Sequence, residues 1–250
     1  VRLGSARRRR AAPWPVAAVA LLIAVAAGGY AAVNNAGGHA ASTATPSTAA
    51  SSTLTAPPTG RQAAGLLDAA GARAALAQLP VKGRSPATGY DRVARFGEAW
   101  LDVDKNGCDT RDDILARDLA AVTRRADCAV LAGTLSDPYT GRSIAFTRGV
   151  QTSALVQIDH VVALLDAWQT GAQGLSQEAR VQLANDPLEL LAVDGATNQA
   201  KGAGDAATWL PPNRGFRCEY AARQVSVKAK YGLWVTAAEG AALRGILTRC

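Results

Sequence analysis

"VQIDHVVALLDAW", Val156 to Trp168, sets an aspartate beside a histidine inside an apolar run. The run opens as an extended segment, so Asp159 and His160 stand at the end of a strand. Burying a carboxylate and an imidazole there is costly unless each has a partner. Alternation along a strand points the two side chains to opposite faces. Asp159 can therefore hold a metal while His160 acts as a base. Downstream, "LELLAV" (Leu188 to Val193) reads as a second strand. "DGAT" then turns into a helix beginning near Asn198. A strand pair followed by a helix brings three side chains to one point. Asp159 and Asn198 offer oxygen ligands, which suit Mg²⁺ because that ion keeps several waters. Lys201 lies one turn after Asn198 on the same face. Read as part of the first helical turn, it stands where the dipole favours anions. A metal, a base, a cation and a helix start describe a phosphodiester site.

The flanking regions fill out an α+β domain over residues 61–250. "RQAAGLLDAAGARAALAQLP" is helical and ends at Pro80, and "TGYDRVARFGEAW" gives a short helix. Thr110 and Asp113 resemble a capping box opening a helix "RDDILARDLAAV". "AVLAGTL", "SDPYTG" and "RSIAFT" read as strand, turn and strand. Two helices close the chain, the second opened by the capping box Thr236 and Glu239. The expectation is helices around one small antiparallel sheet. Trp168 and Trp209 are expected in the core.

The net charge of +7 is concentrated at the start of the sequence. Arg2 and Arg7 to Arg10 precede residue 61 without any acid, which leaves the remainder at about +2. Charge alone therefore does not argue for nucleic acid. "RRRR" followed by "PVAAVALLIAVAAGGYAAV" (Pro15 to Val33) reads as an export signal. Its apolar length fits either cleavage or retention as an anchor. Residues 34–60, rich in Ala, Ser, Thr, Pro and Gly, read as a disordered linker in which His39 is idle. Cys108, Cys128, Cys218 and Cys250 contain no CxxC pair, which argues against zinc. Four cysteines in an exported chain point to disulfides. The local pairing, Cys108 with Cys128 and Cys218 with Cys250, is the expected one. Together these place the protein outside the cytoplasm, secreted or anchored to the cell envelope.

The sequence resembles the secreted HNH-type endonucleases of bacteria, related to the C-terminal domain of GmrSD-type modification-dependent restriction enzymes. The residues that carry the resemblance are "QIDHVVALLDAWQTGA", "ANDPLELLAVDGATNQAKG", "DAATWLPPN", "NGCDTRDDILARDL" and "GTLSDPYTG", between about Tyr90 and Cys250. The resemblance implies a ββα-metal nuclease. In it His160 would activate water, and Asp159 and Asn198 would hold one Mg²⁺ or Mn²⁺. Arg111, in "DTR", could clamp phosphate or pair with Asp109 or Asp113. The expected substrate is DNA, with RNA as a second, and the expected state is a monomer that meets membrane only through its N-terminal segment. An imidazole with the ordinary pKa of ~6.5 suits such a base.

Glu189 departs from the pattern, because an asparagine usually stands there. It could pair with His160 and raise its pKa, and Asn185 could compensate. Glu189 also supports a second reading, a catalytically weak or inactive envelope-associated binding protein that keeps the fold. A peptidoglycan hydrolase needs two placed carboxylates, and no such pair stands out. Finally, Asp102, Asp104, Asn106, Gly107 and Asp113 have the spacing of a calcium loop with a shortened last ligand. The plainer reading of that stretch is a turn before a capped helix.

Overall fold

The computed structural model describes residues 63–250. The expected export segment (1–33) and linker (34–60), with His39, lie outside them, as do Arg61 and Gln62. The chain forms eight α-helices, three short 3-10 turns and five strands among the described residues, an α+β arrangement.

Short polar side chains set most of the helix starts. Helix α1 (Ala69–Gln78) begins at Asp68, whose carboxylate accepts from the Gly71 amide. It stops before Pro80, which cannot continue a helix. Helix α2 (Arg92–Phe96) is capped by Asp91 and ends at Gly97, which adopts φ 83°. Helix α3 (Thr110–Asp118) is capped by Asp109, which accepts from the Asp112 amide. The expected Thr110–Asp113 box is not formed. Thr110 is already inside the helix, and its hydroxyl donates to the Leu101 carbonyl.

Strand β1 (Leu119–Arg124) follows α3 directly and corrects the expectation that the helix runs on through "LAAV". Its alanines have no strong β preference. Pairing of Leu119 with Leu135 across to β2 (Val130–Ser136) decides the conformation. A turn through Asp137, whose carboxylate accepts from the Thr140 amide, leads into β3 (Ser143–Thr147). The β2–β3 hairpin is the one expected from the sequence.

Strand β4 (Val156–His160) pairs antiparallel with β5 (Leu190–Asp194), with Asp159 opposite Leu191 and His160 opposite Leu190. Between them run α4 (Leu164–Gln169) and α5 (Gln177–Ala184). Helix α6 (Gly195–Lys201) follows β5 without a break, capped by Asp194 accepting from Thr197. Gly195 is required there, because a Cβ would lie 2.0 Å from the Ala154 carbonyl oxygen. The helix thus begins before Asn198, and Lys201 falls in its last turn rather than its first. Helices α7 (Arg217–Lys230) and α8 (Ala237–Leu247) complete the chain, with the Thr236–Glu239 capping box as expected.

The single sheet expected from the sequence is in fact two, β1-β2-β3 and β4-β5. The β4-β5 ladder is buried on both faces, which explains why β5 runs apolar without alternation up to Asp194. Val156, Ile158, Leu190 and Ala192 pack on α3 and the three-stranded sheet. Leu191 and Val193 pack with Tyr139 and Tyr220 on the α7 side. Trp168 is buried against Tyr90 and Phe96, and half-buried Trp209 meets Tyr139 edge-on. Cys108–Cys128 and Cys218–Cys250 are disulfides, with Cα separations of 5.5 and 5.7 Å.

Candidate functional site

The last two residues of β4 diverge as strand geometry requires. Asp159 faces the α7 side, where its Oδ1 accepts from Lys201 Nζ at 2.9 Å and its Oδ2 accepts from the Tyr139 hydroxyl. Lys201 also donates to the His160 carbonyl at 2.7 Å, and its side chain is wholly buried. Burial pushes the Asp159 carboxyl above its ordinary pKa, with Lys201 and Tyr139 pulling the other way. The Tyr139 hydroxyl is held well above its usual range by burial and by the Asp159 charge. Lys201 is therefore the internal counter-ion of Asp159. The phosphate-binding and catalytic roles read from its sequence position find no support in this placement, because none of its side chain reaches solvent.

His160 faces the other way. Its ring stacks on Trp100, with centroids 6.1 Å apart and planes 20° apart. Its Nε2 lies 2.9 Å from the Ala184 carbonyl oxygen. A carbonyl only accepts, so the network assigns the proton to Nε2 and the lone pair to Nδ1. Burial, then the Arg92 charge, lowers the imidazole pKa to about 3. The ring is neutral at neutral pH, in place of the ordinary value expected from sequence.

Glu189 does not reach His160. Its Oε2 accepts from the Val162 amide at 3.1 Å, and its Oε1 is buried without a partner. Burial raises its pKa well above the usual carboxylate range. Held on the Val162 amide, it is not placed to raise the histidine pKa as a direct counter-ion would. Asn185 does not substitute for it, since its amide donates to the Val181 carbonyl at 3.0 Å.

Asp159, His160 and Asn198 all line one open cleft of about 360 Å³, together with Tyr90, Arg92 and Gln157. Asn198 Nδ2 donates to Gln157 Oε1 at 3.0 Å, which leaves Asn198 Oδ1 as an acceptor. Arg111 is not in this lining. It donates to the Val156 carbonyl at 3.3 Å, at the far end of β4. Burial, then the neighbouring Arg148, lowers its pKa. The cationic residue the sequence reading missed is Arg92. Nothing in "DRVARF" marks it, because only the packing of α2 carries it to the cleft.

The donor types at the cleft, a carboxylate and an amide oxygen, are those a hard divalent ion takes, and Lys201 already neutralises the carboxylate. An ionised carboxylate has about four acceptor sites, and Asp159 uses two of them. Its remaining capacity and Asn198 Oδ1 are the oxygen ligands such an ion takes alongside waters. The calcium-loop residues also gather, around Asn106. Asn106 Nδ2 donates to Asp104 and Asp113, each at 3.1 Å, and Asp102 accepts from the Asn106 and Gly107 amides. The carboxylates of Asp102, Asp104 and Asp113 are thus gathered around Asn106, just before the Asp109 cap of α3. Elsewhere Asp166, Asp205 and Glu239 bring ligand atoms within 4.8 Å of one another. Their cations are the protein's own: Lys228 lies 3.1 Å from Asp166 and 2.9 Å from Glu239, and Arg84 lies 2.5 Å from Asp166 and 2.7 Å from Asp205.

Two stability effects follow from these contacts. Lys201→Met leaves Asp159 as an uncompensated buried charge, which should cost about 3–5 kcal/mol in urea unfolding at pH 7; an unshifted midpoint would contradict the pairing. The folded-state pKa of His160, about 3, lies below the ordinary 6.5. Its stabilising contribution is thus complete above pH 6.5 and is lost as pH falls toward 3. His160→Gln keeps a donor for the Ala184 carbonyl but does not titrate. Between pH 7 and pH 4 the wild type should lose stability more steeply than this variant, and parallel pH profiles would count against a buried neutral imidazole.

Comparison with known proteins agrees with this unit. Residues 109–246 match the family described as GmrSD restriction endonucleases, C-terminal domain. An uncharacterized secreted protein of the fungus Arthroderma benhamiae is 35% identical over 181 residues, covering 72% of this chain and 84% of that protein. No solved structure matches the chain. On the strength of a match that spans more than half of its length, the chain belongs to the family of GmrSD restriction endonuclease C-terminal domains.

Proposed function

We propose that the protein is an exported, metal-dependent endonuclease of the HNH type that hydrolyses phosphodiester bonds, with DNA as the main substrate and RNA as a second. The observation that carries this reading is that Asp159 and His160, at the end of a β-strand pair, and Asn198, on the helix that follows, all line one open cleft. The family supports the nuclease class. The two disulfides and the relative described as secreted support a site of action outside the cytoplasm. A monomer, with membrane contact confined to the N-terminal segment, completes the reading.

In this scheme His160 takes a proton from water at Nδ1 while Nε2–H remains on the Ala184 carbonyl. The carbonyl holds the ring in one tautomer, and Trp100 holds its plane. A base of such low pKa is weak when the cleft is empty. A phosphate anion entering beside it favours the imidazolium and raises that pKa. Asp159 and Asn198 would hold one Mg²⁺ or Mn²⁺, which supplies charge neutralisation at the phosphoryl and leaving oxygens. Lys201 and Tyr139 fix the Asp159 carboxylate, so the oxygen donors are arranged before substrate binds.

A second reading keeps the fold without efficient catalysis, as an envelope-associated binding protein. Glu189 favours it, because its carboxyl is held on the Val162 amide and gives His160 no hydrogen bond.

The test is incubation of the purified protein with plasmid DNA and Mg²⁺ or Mn²⁺. Nicking that disappears with chelator and in His160→Ala is the expected result. Intact plasmid with every divalent ion would reject the nuclease reading and favour the second.

A further inference from the structure

The cleft that brings Asp159, His160 and Asn198 together needs a group to hold the substrate's anionic backbone, and the two cations read from the sequence do not serve. Lys201 is buried beneath Asp159, and Arg111 is turned to the Val156 carbonyl. Among the cleft-lining residues one cation remains, Arg92. It is the first residue of α2 and is exposed. Its neighbours in the chain are committed elsewhere: Asp91 caps the helix by accepting from the Ala94 amide, and Arg95 donates to the Gly89 carbonyl. Among the described residues no carboxylate forms an ion pair with Arg92. Its charge reaches both His160 and Tyr90.

We propose that Arg92 grips a non-bridging phosphate oxygen of the nucleic-acid backbone at the mouth of this cleft; the inference rests on the nuclease reading and deepens it. Three observations support it. The backbone of α2 is fixed by the Asp91 cap and by Phe96, which is buried against Trp168 and Tyr90, so the guanidinium is carried on an ordered base. Because Lys201 neutralises Asp159, the cleft floor does not repel an anion, and Arg92 gives the cleft its positive charge. A guanidinium presents a planar fork of donors that matches two phosphate oxygens. Such a contact positions the strand without reading its bases, so Arg92 sets affinity for the backbone rather than sequence preference.

The experiment uses the full chain and a fluorescein-labelled duplex oligonucleotide. Anisotropy in chelator gives affinity at several salt concentrations, and plasmid cleavage with Mg²⁺ gives kcat and KM. Arg92→Ala should weaken binding by about 10- to 100-fold, with KM carrying most of the loss in cleavage. The slope of log affinity against log salt should fall by about one. Arg92→Lys should retain part of the affinity. Arg125→Ala, which removes an exposed arginine paired with Asp127, should leave all three readouts unchanged. If the wild type binds and cleaves while Arg92→Ala has the same affinity and salt slope, the assignment of Arg92 is wrong and the nuclease reading stands. If the wild type neither binds nor cleaves, the nuclease reading fails and the assignment fails with it.

Discussion

The ion pair between Lys201 and Asp159 is the contact on which the arrangement of the site depends. Both side chains are removed from water, and neither is tolerable there alone. Lys201 ends α6, Asp159 lies near the end of β4, and the Tyr139 hydroxyl reaches the same carboxylate from the β2–β3 turn. Three separate parts of the chain are thereby fixed to one another. The second Lys201 hydrogen bond, to the His160 carbonyl, extends the same constraint to the neighbouring residue. Because α6 starts directly from β5, this one cation also sets the angle at which Asn198 meets the cleft. A comparable knot, Asp166 with Lys228, Glu239, Arg84 and Asp205, ties α4, α7 and α8 together. The fold thus uses paired charges at places where small sheets and short helices supply limited apolar area.

The chemistry inherits this constraint. A lysine committed to Asp159 cannot also meet a phosphate, so under the nuclease reading the positive charge for substrate has to come from another element. The imidazole is neutral because it is buried, and the Ala184 carbonyl decides which nitrogen carries the proton. Glu189 accepts one hydrogen bond from the backbone and makes none to His160. Its Oε1 is left buried without a partner.

Much of the fold was legible because its signals are local. The β2–β3 hairpin, the Thr236–Glu239 box, the strand–helix order around Asp159 and Asn198, and both disulfides follow from short stretches. Where the reading failed, a distant partner decided the outcome or, once, a local cap was passed over. "LAAV" is ambiguous until β2 pairs with it. Asp194 held a readable cap signal for α6, with Thr197 after it, and overlooking it misplaced Lys201 within the helix. The fate of Lys201 lay beyond any local pattern, because its partner is brought to it by the β4-β5 ladder. Glu189 and His160 looked like a pair by analogy, yet opposite-facing backbone positions gave them different partners. Arg92 sits in an ordinary short helix and acquires a role only through the packing of Phe96.

The most direct measurement is the protonation state and tautomer of His160, read from imidazole nitrogen shifts by NMR. The chain holds two histidines, His39 and His160, so two imidazoles are seen and a His160→Gln sample assigns them. The account predicts a neutral His160 ring with its proton on Nε2, unchanged from pH 8 down to pH 5. A His160 ring that protonates with a midpoint near the ordinary 6.5, or that carries its proton on Nδ1, would contradict it.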